Sequence, residues 1–472
     1  MSELAFIRAT PGGARMIRLA VCAALVASAS QAGAQELRFD FPELRVGVAE
    51  YEAGPTGATV FYFPGKVKAA VDVRGGAPGT INTDALRLGY ESRMMDAVVF
   101  AGGSWYGLAA ATGVADEIKV TRTGAGEWGS IAGVVAAIVF DLGDRRLTTV
   151  TPDYELGRAA LRAASSGRFP LGARGAGRFV MQGTYFAAAG AYTDWPHSGQ
   201  GGAFRQIGPT KIAVFTVVNA LGSIVDREGR VVRCGTTAAP RTDCGTIAER
   251  MRLVSDRVAR AGGGGAQATG GREPEVSGGA DDGPAQNTTL TLVVTNQKLP
   301  SWALQRLAVQ VHTSMGRAIQ PFATQRDGDV LYAVTTDQVE NATLSAQDLG
   351  LIASEVAWDA VLASVPPIAE VAPHASVSAG ALVEPFVGEY EFAPNSRLTV
   401  RAVAHRLTAE LTGRGGIYFP VGRAIDLTPI GPAEFVLDTP RRDRIRFDQS
   451  VTRSAGLTLN PGRWSHRATR VR

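Results

Sequence analysis

The junction Asn287-Thr288 is where residue type and context first combine into chemistry. It lies in GPAQNTTLTLVV, where a polar, glycine-rich run gives way to an apolar alternation. A hydroxyl residue that follows a flexible segment can attack its own upstream carbonyl. Here Thr288 Oγ would attack the carbonyl of Asn287, form an ester by an N-to-O shift, and leave a new N-terminus after hydrolysis. The freed α-amine, with an ordinary pKa of about 7.7–8.0, can act as base for the hydroxyl of the same residue. Two plainer readings compete. Asn287-Thr288-Thr289 is an N-x-[ST] sequon, as is Asn341-Ala342-Thr343. A polar loop before a strand is also commonplace.

Other routes to a nucleophile find little support. GGSWYG around Ser104 is not a nucleophile elbow, because Tyr106 stands where G-x-S-x-G needs its second glycine. No Walker A lysine motif and no G-x-G-x-x-G occurs. The five histidines (His197, His312, His374, His405, His466) show no metal-pair spacing, so neither a metal nor a cofactor is expected. His312 reads as a polar edge of helix packing.

The elements that would position such a junction follow from the wider pattern. The chain has 472 residues, 45% hydrophobic and 19% charged, with net charge +4. That supports a sizeable core and two or three domains, and is too weakly basic to point to nucleic acid. MIRLAVCAALVASASQAGA reads as an export signal ending at Ala34, with an apolar run too short to span a bilayer. A periplasmic or secreted protein is expected. Cys234 and Cys244, ten apart in a turn-rich segment, are expected to form a disulfide in that setting.

Between residues 35 and 260, ATVFYF, KAAVDVR, DAVVFAGG, VVAAIVFDLG and KIAVFTVVNALG read as separate strands. Several are apolar enough to be covered on both faces. SWYGLAAATGVADEIK and ELGRAALRAAS read as helices. Residues 261–287 form a glycine-rich segment with too little apolar bulk to offset its ordering entropy. Order resumes over 288–366. There TTLTLVVTN reads as a strand, followed by a helix capped by Ser301, the strand DVLYAVTT, and a helix opened by a Ser345–Asp348 capping box. Strands and helices segregate, which predicts an α+β fold in layers. After a linker at 367–381, residues 382–472 break into short strands between turns and predict a small all-β barrel or sandwich.

Two resemblances add to this. The stretches GPTGATVFYFP, AAVDVRGGAPGT, VVFAGGSWYGLAAATGV, GQGGAFRQIG, VVNALGSIVDREGRVVR, NTTLTLVVTN, QVHTSMGRAIQPF, DGDVLYAVTTD and IASEVAWDAVL occur in family order over about residues 45–365. That region resembles the DmpA-type L-aminopeptidase/D-esterase family, peptidase family S58, most of all its nylon-oligomer hydrolase branch. The C-terminal segment, through FVGEYEFAPNSRLTVRAVAHRLTAELTGRG and GLTLNPGR, resembles the lipocalin-like β domain of some exported serine hydrolases.

The family resemblance implies an αββα sandwich, self-cleavage between Asn287 and Thr288, and oligomers of two-chain protomers. It implies Thr288 as nucleophile and Asn219 as donor to the oxyanion. Asp327 and Asp329 would be paired acids beside the nucleophile, although an Asp-Gly-Asp turn before a strand is their plain reading. Asp72, Arg74, Gly75, Gly76 and Tyr106 are read as pocket residues, the glycines permitting close backbone approach. Where the nylon-hydrolase branch carries a lysine this chain has Thr184, with Tyr185 beside it. Where that branch has a tyrosine it has Phe140. Thr184 is therefore a substitute candidate at the site. The expected activity is hydrolysis of small peptides or amides. The alternative is an exported binding protein of the same fold with weak or no turnover. A further alternative makes the barrel a ligand-binding module and the sandwich its carrier.

Overall fold

The computed structural model describes residues 35–472 except 91–93, 187–195, 237–238, 242, 263–286, 368–382, 404–405, 414–417, 421, 440, 449–452 and 463. The export signal, nearly all of the glycine-rich run and the linker lie outside the described residues. Glu36–Arg472 forms one unit.

Apolar strand runs build two sheet layers that share one long strand. The first layer contains β1 (Arg45–Tyr51), β2 (Thr56–Val73), β3 (Met94–Ala101) and, after helix α1 (Ala109–Thr121), β4 (Val134–Ile138). Helix α2 (Tyr154–Arg162) follows, its first turn capped by the Asp153 carboxylate, which accepts from Leu156 N–H. The second layer uses β5 (Gln200–Ile207), β6 (Thr210–Asn219), β7 (Thr288–Gln297) and β8 (Val330–Val339). Helix α3 (Ile247–Gly262) leads towards the glycine-rich segment. Helices α4 (Ser301–Ser314) and α5 (Ala346–Ala363) cover the second layer.

The strand order is β4-β3-β2-β8-β7-β6-β5, with β1 also on β2. The segments ATVFYF and KAAVDVR are therefore one strand, not two. Its first half pairs with β1 and β3, its second half with β8. The register slips between Tyr62 and Val67, where Lys66 takes φ 51°, so the strand turns from one layer into the other without ending.

Three apolar layers result. Phe61, Phe100, Phe215, Leu290, Leu292 and Tyr332 interlock between the sheets. Val60, Val99 and Ala136 face α1 and α2, while Val214, Val293 and Leu331 face α4 and α5. This is the αββα sandwich. Period-2 alternation sends Leu290 and Leu292 inward and Val293 to the helices.

Two helix starts are informative. Ser345 caps α5 by accepting from Asp348 N–H at 3.1 Å, and its hydroxyl donates to the Asp348 carboxylate at 2.7 Å. Ser301 is the first residue of α4, not its cap. Pro300 occupies the cap position without a side-chain bond, its ring fixing an extended entry into the helix.

Eight antiparallel strands close the C-terminal barrel: β9 (Gly388–Ala393), β10 (Ser396–Val403), β11 (Arg406–Gly413), β12 (Ile425–Pro429), β13 (Glu434–Leu437), β14 (Arg444–Phe447), β15 (Gly456–Leu459) and β16 (His466–Arg470). Closure comes from Tyr390 opposite Arg470 and Glu391 opposite Thr469. Alternate residues such as Leu398, Val400, Phe435, Leu437, Ile445 and Phe447 fill the interior, as expected for eight strands. That cluster runs on into Leu147, Ala173, Phe179 and Met181 of the sandwich.

Candidate active site

The junction residues stand at the ends of adjacent strands. Thr288 opens β7, and antiparallel register sets it opposite Asn219, the last residue of β6. On its other side β7 runs parallel to β8, with Leu290 beside Val330. The preceding residues continue that pairing as a bridge between Asn287 and Asp327. Sheet register thus brings Asn219, Thr288 and Asp327-Gly328-Asp329 together. Asn287, Thr288, Asn219, Asp327 and Asp329 are all buried.

The Asn287 carbonyl oxygen lies 2.5 Å from Thr288 Oγ and accepts the Gly328 N–H at 2.8 Å. The middle residue of the Asp-Gly-Asp turn therefore polarises the carbonyl that Thr288 would attack. A side chain at Gly328 would stand about 2.7 Å from Thr288 Oγ, so glycine leaves the nucleophile its space.

The two acids differ in their partners. Asp327 accepts from Leu221 N–H at 3.3 Å, Thr324 N–H at 3.0 Å and the Thr324 hydroxyl at 2.7 Å. Asp329 accepts from Thr289 N–H at 2.5 Å and Ala323 N–H at 3.0 Å. Burial raises the Asp327 carboxyl above the ordinary carboxylate range. Burial, then repulsion from Asp327, raises Asp329 well above it. Two enclosed carboxyls cannot both ionise cheaply, so Asp329 holds its proton more tightly.

Asp72, Arg74, Gly75 and Gly76 brace this turn from behind. Arg74 and Gly75 N–H groups donate to the Asp329 carbonyl at 3.1 and 3.2 Å. A Cβ on Gly75 would come within 2.2 Å of Asp329 N, and one on Gly76 within 2.5 Å of Gln325 O. The glycines let backbone touch backbone, at the acidic turn. Asp72 binds Arg74 Nε at 2.5 Å and His312 Nδ1 at 2.9 Å. Burial raises its carboxyl, but those two partners outweigh burial and hold it below its ordinary value. His312 is fully buried, not at a packing edge, and burial lowers its imidazole against the pull of Asp72. Tyr106 lies on a 3₁₀ turn after β3 and is 74% exposed, with no described contact to Thr288. Its neighbour Trp105 packs by Gly79.

Thr184 does reach the junction, donating to Asn287 Oδ1 at 3.3 Å. So does Arg145, which was not expected. Its Nη1 donates to Asn219 Oδ1 at 2.8 Å and to the Phe140 carbonyl at 3.1 Å, and its Nη2 to Asn287 Oδ1 at 3.3 Å. Burial pushes this guanidinium down to about 10, opposed by nearby Asp141 and Tyr418, so it remains a cation at neutral pH. Asn219 Oδ1 also accepts Met181 N–H at 3.2 Å, while its Nδ2 donates to the Phe140 carbonyl at 3.0 Å. The Phe140 carbonyl thus holds both groups, and its ring lies 5.8 Å from the Arg145 guanidinium. The signal in the sequence was FDLGDRR. Arg146 takes Asp141 in a buried pair at 3.2 Å, leaving Arg145 to turn towards the junction.

Comparison with known proteins gives the family. The profile of Peptidase family S58 matches residues 39–379. The chain belongs to peptidase family S58. It is 39% identical over 346 residues to a 6-aminohexanoate-oligomer endohydrolase of Paenarthrobacter ureafaciens, a match covering 70% of this chain and 86% of that enzyme. It is 39% identical over 342 residues to a putative NylC-analogous protein of Agromyces sp., covering 69% of this chain and 98% of that protein. Among solved structures, a Burkholderia sp. β-aminopeptidase superposes with TM-score 0.47 at 16% identity, covering 70% of this chain and 88% of that one. This S58 member is accordingly a hydrolase of amide or peptide bonds. Among the described residues no His, Cys, Asp or Glu group is arranged to hold a metal ion, and no helix is long and apolar enough to cross a membrane. Cys234 and Cys244 form a disulfide, with Cα atoms 5.6 Å apart.

Proposed function

We propose that this protein is an exported, self-processing N-terminal-threonine amidohydrolase of small peptides or amides, cut between Asn287 and Thr288. The observation that carries this reading is the 2.5 Å approach of Thr288 Oγ to the Asn287 carbonyl oxygen, which Gly328 N–H already binds. Attack forms the Oγ–C bond, and the C–N bond breaks as the nitrogen takes a proton. The negative charge that develops on the carbonyl oxygen is met by Gly328 N–H, in a buried setting where such a donor counts most. Breaking the C–N bond frees the α-amine of Thr288, and water then hydrolyses the ester, restoring the Thr288 hydroxyl and releasing the Asn287 carboxylate. That amine becomes the base for the same hydroxyl when an external amide enters.

In this reading Asn219 orients the amide it presents to the oxyanion, and Arg145 adds positive charge beside it. The acidic pair keeps one proton near the new amine. Thr184 occupies the place of the lysine seen in the nylon-hydrolase branch but is neutral, so Arg145 supplies the cation. The Cys234–Cys244 disulfide supports an oxidising compartment and hence export. Trp105, Tyr106 and Trp128, exposed on two 3₁₀ turns, support an oligomer of cleaved protomers.

Intact mass and N-terminal sequencing of purified protein test the cleavage. A β chain beginning at Thr288 is the expected result. One intact chain, or a new terminus elsewhere, would sink the reading.

A further inference from the structure

The geometry assigns the C-terminal barrel a place in the catalytic centre: Tyr418 of the barrel fixes Arg145, and Arg145 holds Asn219 and the cleavage junction in register. This rests on the self-processing reading above.

The contact is direct. The Tyr418 hydroxyl donates to the Arg145 carbonyl at 2.9 Å, both residues being buried. Tyr418 is itself held on two sides. The Arg441 guanidinium stacks 5.3 Å from its ring centre and pairs with buried Asp443 at 3.0 Å. The His466 ring meets Tyr418 edge-on at 5.5 Å.

The Arg145 guanidinium reaches the Phe140 carbonyl and the side chains of Asn219 and Asn287. A buried cation is costly unless its donors are well met, so the placing of its backbone matters, and the barrel holds that backbone through the Tyr418 hydroxyl.

The second donor to Asn219 arrives the same way. Met181 N–H reaches Asn219 Oδ1 while the Met181 side chain packs in the apolar cluster that fills the barrel. Leu147, two residues beyond Arg145, joins that cluster with Phe179. Both described donors to Asn219 Oδ1 thus sit on segments seated against the barrel. A displacement of about 1 Å in a catalytic group can cost roughly 10²-fold in rate, so this seam is positioned to affect chemistry.

A double-mutant cycle on the full-length chain tests the coupling. The readout is the first-order rate of self-cleavage, followed by intact mass, since it needs no knowledge of the external substrate. Arg145→Gln is expected to slow cleavage by about 100-fold, as for loss of a donor at an oxyanion site. Tyr418→Phe should slow it by about 10-fold, with a melting temperature near wild type. The double variant should be no slower than Arg145→Gln alone, because Tyr418 acts through Arg145. For the processed enzyme on L-alanine p-nitroanilide, Tyr418→Phe should lower kcat and leave KM within about twofold. Glu410→Gln, on the solvent side of β11, serves as the barrel control with wild-type rates. A wild-type rate in Tyr418→Phe, or losses that simply multiply in the double variant, would overturn the assignment. Should Tyr418→Phe not fold, Leu147→Ala loosens the same seam and must show the same non-additivity with Arg145→Gln. A wild-type chain that never cleaves overturns the self-processing reading and this assignment with it.

Discussion

The sandwich and the barrel bury side chains to opposite ends. In the barrel Leu398, Val400, Phe435 and Phe447 belong to one apolar cluster, and the buried charges Arg441 and Asp443 are paired with each other at 3.0 Å. The sandwich carries, at one end of its central strands, a buried cation, two buried carboxyls, two asparagines and a threonine. Where the barrel gains stability, the sandwich spends it on holding reactive groups out of water, as functional sites do. The seam between them is mixed. His197 stacks on Trp464 with centres 5.0 Å apart, and Phe179 packs edge-on against both His197 and His466. A domain that merely hung on a linker would not place its aromatics within one residue's reach of Arg145.

This contrast can be broken at several points. Thr288→Ala should abolish self-cleavage and amide hydrolysis while leaving both regions folded, seen as one intact mass and an unchanged circular dichroism spectrum. Residual cleavage at the same bond would remove Thr288 from the chemistry. Asn219→Ala should lower turnover by about 10²–10³ with a smaller change in KM, measured by steady-state kinetics on the processed enzyme. An equal loss through KM alone would make Asn219 a binding group.

Phe447→Ala acts on the other region. It removes a ring that stacks on Phe386 at 4.7 Å inside the barrel, and should cost about 3–5 kcal/mol of stability by urea denaturation. While the protein stays folded, self-cleavage should slow only modestly, because the seam is several residues away. A full loss of cleavage without unfolding would show that the barrel transmits more than the Tyr418 contact.

The smallest effect separates the two regions by the sign of their pH response. Burial pushes the His466 imidazole down to about 3, from an ordinary 6.5. Below about 6.5 the unfolded chain binds the extra proton, so His466 costs stability as pH falls towards 3. Asp329 behaves in the opposite sense. Its carboxyl is raised by burial and by Asp327, so the native state binds the extra proton above the ordinary 3.8. Its contribution is present at low pH and is lost as pH rises through the raised value. In the uncleaved Thr288→Ala background, His466→Phe should flatten the acid side of a stability–pH curve, and Asp329→Asn the side above it. Curves unchanged by both substitutions would show that neither group titrates with folding.

Much of the architecture was legible along the chain. The apolar runs of β3, β6, β7 and β8 mark buried strands, and the Ser345 cap marks where α5 begins. The unity of β2 was not legible. Pro64-Gly65 reads as a break, yet the chain passes through it with only a register slip, since pairing partners on both sides keep the strand in line. His312 was also misplaced at an edge, because helical periodicity does not reveal that Asp72 stands across from it at 2.9 Å.

By itself the sequence determined what is local: which segments are apolar with period 2 or 3.6, where a helix is capped, and that a threonine follows a polar, glycine-rich run. It also specified the residue types from which a site would be made. Only the tertiary structure decided which of them meet. Strand register set Asn219 opposite Thr288 and slid Gly328 N–H onto the Asn287 carbonyl. Barrel packing then brought Tyr418 to Arg145 across a separation of 273 residues. The physical reason is range. Periodicity and capping are read within a few turns of chain. Hydrogen bonds between remote residues exist only once the sheet has chosen its register and the apolar cores have chosen their seam.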